Sequence, residues 1–242
     1  MSTAGADLRR WWRRTARYRP RTATGWIVAV TVAFYVLQLL TQGLLQAALQ
    51  YVPLYSLPRI GAPFEPWRML TSILIHQPIT VFTVFGITHI AFNMYSLYLF
   101  GRPLESVIGS GRLVAIYLIC GLAGSVAVLY ASLVGLLSPA SVVYGASGAV
   151  FGVLGAVVVI QRRLGIDVRV LYVFIAINFV LAFVLGGVAW EAHLGGLLVG
   201  ALLGWLFIHN RGPRRTNRAI AGAAGITAVV LVLALLPTAL VG

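Results

Sequence analysis

The sequence predicts an all-α polytopic membrane protein, a bundle of seven transmembrane helices with its N-terminus in the cytoplasm. Three observations lead there. Of the 242 residues, 60% are hydrophobic and only 10% are charged, with a mean hydropathy of +0.94, whereas soluble domains are about a quarter charged. Seven apolar stretches, at 26–45, 86–104, 113–134, 147–162, 169–187, 191–209 and 219–240, each approach the ~20 residues a helix needs to cross a ~30 Å hydrocarbon layer. All 18 basic residues are arginine, and they are unevenly placed. With the N-terminus inside, the inner segments hold sixteen of them and the outer segments only Arg59 and Arg68. Such a bias anchors topology at anionic headgroups. It leaves no compact basic patch with interleaved aromatics, so the net charge of +13 implies lipid contact and no nucleic acid.

Residues 1–25 read as an Arg-rich cytoplasmic segment. The Arg9-Arg10 pair resembles a twin-arginine signal, but the first apolar stretch exceeds an h-region and six more follow, so it reads as an uncleaved helix. The connection 46–85 carries Pro53, Pro58, Pro63, Pro66 and Pro78 among apolar and aromatic residues. It is too apolar to float in water and is expected to pack on the outer leaflet. Cys120, the sole cysteine, lies in the third span and excludes an intrachain disulfide; it reads as a buried small residue. Residues 26–209 form a six-helix core, and 210–242 a cytoplasmic loop with the seventh helix. No repeat or low-complexity linker interrupts them.

Polar side chains within a span cost several kcal/mol in lipid and ask for a reason. The second span contains Thr88-His89-Ile90-Ala91-Phe92-Asn93, the fourth opens on Gly145-Ala146-Ser147-Gly148, and the sixth on Trp190-Glu191-Ala192-His193-Leu194-Gly195-Gly196. At 1.5 Å per residue, Ser147 stands ~23 Å above Arg162, His193 ~27 Å above Arg211 and His89 ~20 Å above Arg102. Three distant pieces of sequence therefore converge on one layer in the outer half of the bilayer. Gly148 and Gly152 form a Gly-x-x-x-Gly pair, and Gly196, Gly200 and Gly204 continue the face below His193. Small residues at that period let two backbones approach, as ordinary helix packing also uses them. Close approach is what a short serine side chain needs to reach an imidazole base.

Other chemistries lack their residues. With no lysine a Ser-Lys dyad is impossible; Asp7 and Asp167 lie on the inner side, outside the spans, so no intramembrane aspartyl pair forms. No His-Glu-x-x-His occurs, and no metal or other cofactor is expected. Glu191 is ~200° around the helix from His193, poorly placed as a third triad member, and suits the helix dipole and the water boundary instead. His89 and Asn93, at i and i+4, share one helical face. They can donate to an oxyanion together with backbone N–H groups at the start of the fourth helix. The same pair would also serve as an interhelical polar clamp.

These residues resemble the rhomboid intramembrane serine proteases, from about Trp67 to Gly204. Gly145-Ala146-Ser147-Gly148 is similar to the family's Gly-x-Ser-Gly, and Ala192-His193-Leu194-Gly195-Gly196 with Gly200 to its histidine motif; His89-x-x-x-Asn93 and Trp67-Arg68 resemble further signatures. The resemblance implies a rhomboid-like bundle with Ser147 as nucleophile and His193 as general base and acid. It also implies an oxyanion site from His89, Asn93, the backbone N–H of Ser147 and that of Ala146. Phe151 matches a ring that packs on the catalytic imidazole, though plain core packing explains it equally well. Trp67, Arg68 and Glu105 match scaffold positions. His76 resembles a loop histidine, but twelve residues separate it from His89 where bacterial members usually have four, and the insertion Gln77 to Val84 leaves its role open. His209, at the inner end of the sixth span, reads as interfacial. The implied substrates are single-pass transmembrane proteins cut near the outer face, and the high-arginine, lysine-free composition favours a bacterial inner membrane. The competing classes are a non-catalytic binder of transmembrane segments and a small transporter. Pseudoproteases of the family typically lose the serine or histidine, and a transporter would place polar groups through both halves of the bilayer.

Overall fold

The computed structural model describes residues 22–57, 63–78, 85–185 and 187–241. The Arg-rich residues 1–21, Arg59, and most of the Gln77 to Val84 insertion lie outside them. Nine α-helices occur among the described residues: α1 (Ala23–Leu40), α2 (Leu44–Leu49), α3 (Arg68–Thr71), α4 (Phe85–Ile108), α5 (Ser110–Leu133), α6 (Ser147–Arg163), α7 (Arg169–Leu185), α8 (Trp190–His209) and α9 (Thr216–Val241). The seven of 17 residues or more stand where the seven spans are expected. Four of them, α1, α5, α8 and Thr216–Ala239 of α9, are long and apolar enough to cross a membrane by themselves.

The first span ends earlier than its hydropathy predicts, at Leu40 rather than residue 45. Gln42 and Gly43 take φ of +49° and +93°, which breaks the helix and restarts it as α2. The following connection also differs from expectation. Part of it packs inward on the bundle: Tyr51, Leu57, Met69, Ile73 and Ile75 are buried in the protein core, while Phe64, Trp67 and Leu70 stay exposed, and the Ser125 hydroxyl of α5 donates to the Met69 carbonyl at 2.7 Å. Tyr51 pairs with Val143 through two antiparallel backbone hydrogen bonds of 2.9 and 2.8 Å. That pair stitches the outer connection to the segment leading into α6.

At the centre, α5, α6 and α8 pack tightly, and α6 is buried along nearly its whole length. At Gly196 and Gly200 a Cβ would fall on the carbonyl oxygens of Gly148 and Gly152, and at Gly204 on Ala156. The small-residue register predicted between the fourth and sixth spans is thus formed backbone to backbone. The first turn of α8 also lies against α5, where a Cβ at Gly124 would stand 2.9 Å from the Ala192 carbonyl oxygen. Glu191, on the same turn, is 7% exposed and not at an open water boundary as expected. By contrast α7 is largely exposed, and its ring contacts with the bundle come from Phe174, Phe179 and Phe183.

Candidate active site

Ser147 is the first residue of α6. The Gly145 N–H donates to the Ser72 carbonyl at 3.0 Å, which seats the entry to the helix on the outer connection. Gly145 takes φ of +119°, a region essentially reserved for glycine. A Cβ there would lie 3.0 Å from His89 Cε1, 3.2 Å from His89 Nε2 and 3.9 Å from the Ser147 hydroxyl oxygen. Only glycine admits both this backbone and that imidazole edge.

His193 sits on the first turn of α8, one turn before Gly196, and is 6% exposed. Its ring stacks on Phe151 with centroids 4.2 Å apart and planes 4° from parallel, while Phe179 of α7 meets it edge-on at 6.4 Å. Phe151 lies one turn below Ser147, so the stack brings the imidazole to the serine's side of α6. Among the described residues, His193 Nδ1 has no hydrogen-bond partner, and no hydrogen bond joins Ser147 to His193.

His89 faces the same site from α4. Its Nδ1 accepts the Gln77 N–H at 3.2 Å. Asn93, 3% exposed, donates from Nδ2 to the His89 carbonyl at 2.9 Å, and its second amide hydrogen has no acceptor among the described residues. The two backbone donors differ. Ala146 N–H donates to His76 Nε2 at 3.4 Å, whereas Ser147 N–H makes no hydrogen bond among the described residues. His76 is fully buried, with its ring 5.3 Å from that of His89. Burial and the nearby His89 hold its pKa down to about 3, so it is a neutral acceptor.

The supporting residues hold backbone ends. Arg68 bonds the carbonyls of Ala47 and Gln50 at the C-terminal end of α2, pairs with Glu65 and lies 4.6 Å over the Tyr55 ring. Trp67, just before it, is 56% exposed. Glu105 accepts the N–H groups of Ala23 and Thr24 at 2.7 and 3.0 Å, and the hydroxyls of Thr24 and Ser110 at 2.7 Å each. It caps the N-terminus of α1 from another helix. His209 bonds the Trp205 carbonyl through Nδ1 at 2.8 Å and is half-buried.

A model of the Rhomboid domain matches residues 63–210. The chain belongs to the rhomboid family. With its apolar helices, this makes it a multi-pass membrane protein. It is similar to Rhomboid protease GluP of Bacillus subtilis (strain 168), 36% identical over 144 residues, which cover 56% of this chain and 25% of GluP. It is also similar to RHOMBOID-like protein 6, mitochondrial, of Arabidopsis thaliana, 34% identical over 155 residues, 60% of this chain and 44% of that protein. YdcA of the same Bacillus strain is 30% identical over 156 residues, 62% of this chain and 71% of YdcA. The chain therefore spans a quarter to under half of the first two relatives.

Sequence reasoning missed Gln38 and Gln77. Gln38 is 1% exposed in α1 and its carboxamide bonds both main-chain groups of His76, at 2.7 and 3.1 Å. Its signal was available, since a glutamine inside an apolar span is as costly as the histidines. Gln77 acts through its backbone N–H, which leaves no trace in residue type.

Proposed function

We propose that the chain is an intramembrane serine endopeptidase that cuts transmembrane segments of single-pass membrane proteins near the outer face. The observation that carries this reading is that the His193 ring stacks on Phe151, one turn below Ser147, while the Nε2 edge of His89 and the Ser147 hydroxyl both border Gly145 at the start of α6. Ser147 Oγ attacks the scissile carbonyl while His193 Nε2 takes its proton; the tetrahedral oxyanion receives hydrogen bonds from His89, Asn93 and the Ser147 N–H. Collapse to the acyl-enzyme follows as His193 returns the proton to the leaving amine, and water then hydrolyses the ester by the same base. Ala146 contributes its N–H only if it leaves His76. The Nδ1 of His193, without a hydrogen-bond partner among the described residues, supports a dyad without an acidic third member.

Residues 1–25 form a cytoplasmic segment in this reading, 26–209 the catalytic core and 210–242 an inner loop with an additional helix. All seven long helices cross a bacterial inner membrane, and the site opens to the extracytoplasmic side. Lipid surrounds the bundle, and neither cofactor nor metal takes part. The decisive experiment is cleavage of a tagged single-pass substrate in proteoliposomes by the intact chain, Ser147→Ala and His193→Ala, at matched folded protein. Product from the intact chain alone is expected. Failure with several substrates, together with no labelling of Ser147 by a serine-directed phosphonate, overturns the protease reading and favours a binder of transmembrane segments.

A further inference from the structure

An imidazole can stabilise an oxyanion only through a ring nitrogen that carries hydrogen, and a neutral ring has one such nitrogen. In His89 that nitrogen is set from outside. The Gln77 N–H donates to Nδ1 at 3.2 Å, so Nδ1 must present its lone pair and the proton resides on Nε2. The Nε2 edge is the one turned toward Gly145 and the Ser147 hydroxyl. With the opposite tautomer, an N–H would face the Gln77 N–H and a bare lone pair would face the oxyanion.

Gln77 is a connection residue, and its N–H is fixed only as well as its neighbours hold it. Three contacts do so. Gln38 of α1 donates from Nε2 to the His76 carbonyl at 2.7 Å and accepts the His76 N–H at its Oε1 at 3.1 Å. The bonded carbonyl of His76 belongs to the same peptide unit as the Gln77 N–H, so gripping one oxygen orients the other end of that plane. Tyr35, one turn before Gln38, donates to the Gln77 carbonyl at 3.2 Å, and Tyr144 donates to its side-chain oxygen. Gln38 is itself oriented by Gln46 of α2, whose Oε1 accepts from Gln38 Nε2 at 3.2 Å.

We infer that Gln38, from a helix that supplies no reacting group, is a positioning residue for the oxyanion site: through the His76–Gln77 peptide it selects the Nε2–H tautomer of His89. The inference rests on the proposed protease chemistry for its kinetic consequence, but the tautomer itself can be read without activity.

The test uses the full chain in lipid nanodiscs with 15N-labelled histidine. Long-range 1H–15N correlations separate the two tautomers, and the His89 signals are identified by their loss in His89→Gln. The intact chain should show His89 as Nε2–H alone. Gln38→Leu, which keeps size but neither hydrogen bond, should introduce the Nδ1–H form and lower kcat about 10-fold with KM unchanged, less than the ~10²-fold or more for deleting an oxyanion donor. Tyr35→Phe should shift the tautomer in the same direction by less. Should Gln38→Leu fail to fold, Tyr35→Phe decides by the same signal. An Nδ1–H ring in the intact chain, or an unchanged tautomer in the folded variants, overturns the inference. If the intact chain neither cleaves nor takes a phosphonate, the protease reading fails while the tautomer pattern still decides the positioning role.

Discussion

Replacing Gly145 by alanine tests two features of the site with one methyl group. The built Cβ stands 3.0 Å from His89 Cε1, and comfortable carbon contacts begin near ~3.5 Å, so the ring must retreat by about 0.5 Å. A misplacement of ~1 Å at a reacting geometry costs up to ~10²-fold in rate, which makes about 10-fold in kcat the expected loss here. The backbone contributes separately. At φ of +119° an L side chain is strained by roughly 1–3 kcal/mol. Gly165 supplies the control, since its φ of +74° also disfavours alanine but no described residue lies within 4 Å of its Cβ. Equilibrium unfolding in mixed micelles and cleavage kinetics of Gly145→Ala and Gly165→Ala, measured side by side, separate strain from displacement. Both variants should lose stability, and only Gly145→Ala should lose kcat in the folded fraction. Equal kcat in the two would refute the contact between Gly145 and the His89 edge as a determinant of rate.

Three further outcomes follow from the same geometry. Glu105→Ala leaves the Ala23 and Thr24 N–H groups without their partner and should cost about 2–4 kcal/mol in unfolding; Glu105→Gln, which keeps one acceptor oxygen, should cost less, and equal losses would contradict the capping role. Gly200→Val must push the α8 backbone off the Gly152 carbonyl and should abolish folded protein, visible as lost protease resistance, while Gly111→Val, with no described residue within 4 Å of its Cβ, should not. His76 is held neutral in the folded state, with a pKa near 3 against an ordinary 6.5. Below 6.5 the unfolded chain binds a proton that the folded chain does not, so His76 lowers stability as pH falls, by up to ~1.4 kcal/mol per pH unit. Unfolding free energies between pH 6.5 and 4 should fall less steeply in His76→Gln, and parallel curves would sink that assignment.

The parts legible in the sequence are those whose cause is a residue type at a spacing. Gly148, Gly152, Gly196, Gly200 and Gly204 announce the α6–α8 contact because only a missing Cβ permits it. Ser147, His89 and His193 stand out because each is polar in apolar surroundings. The outer connection was less legible. Its prolines mark turns, but whether its apolar residues meet lipid or protein depends on Ser125 and the α5 face, which lie far along the chain. Arg68 was placed as scaffold from its resemblance, but its acceptors are the carbonyls of Ala47 and Gln50, groups every residue carries. The tautomer of His89 was hidden for the same reason, being set by a main-chain N–H.

Cys120 acquires a practical meaning from its neighbours. It is the only thiol in the chain, fully enclosed, and positioned where a Cβ on Gly152 would strike it. A maleimide or a mercurial can reach that sulfur only when the helices around it part. The rate of its alkylation under native conditions therefore reports the opening of the bundle's centre, much as amide exchange reports the opening of a hydrogen bond. The protein carries its own breathing gauge, and single-cysteine reporters can be added elsewhere without removing it.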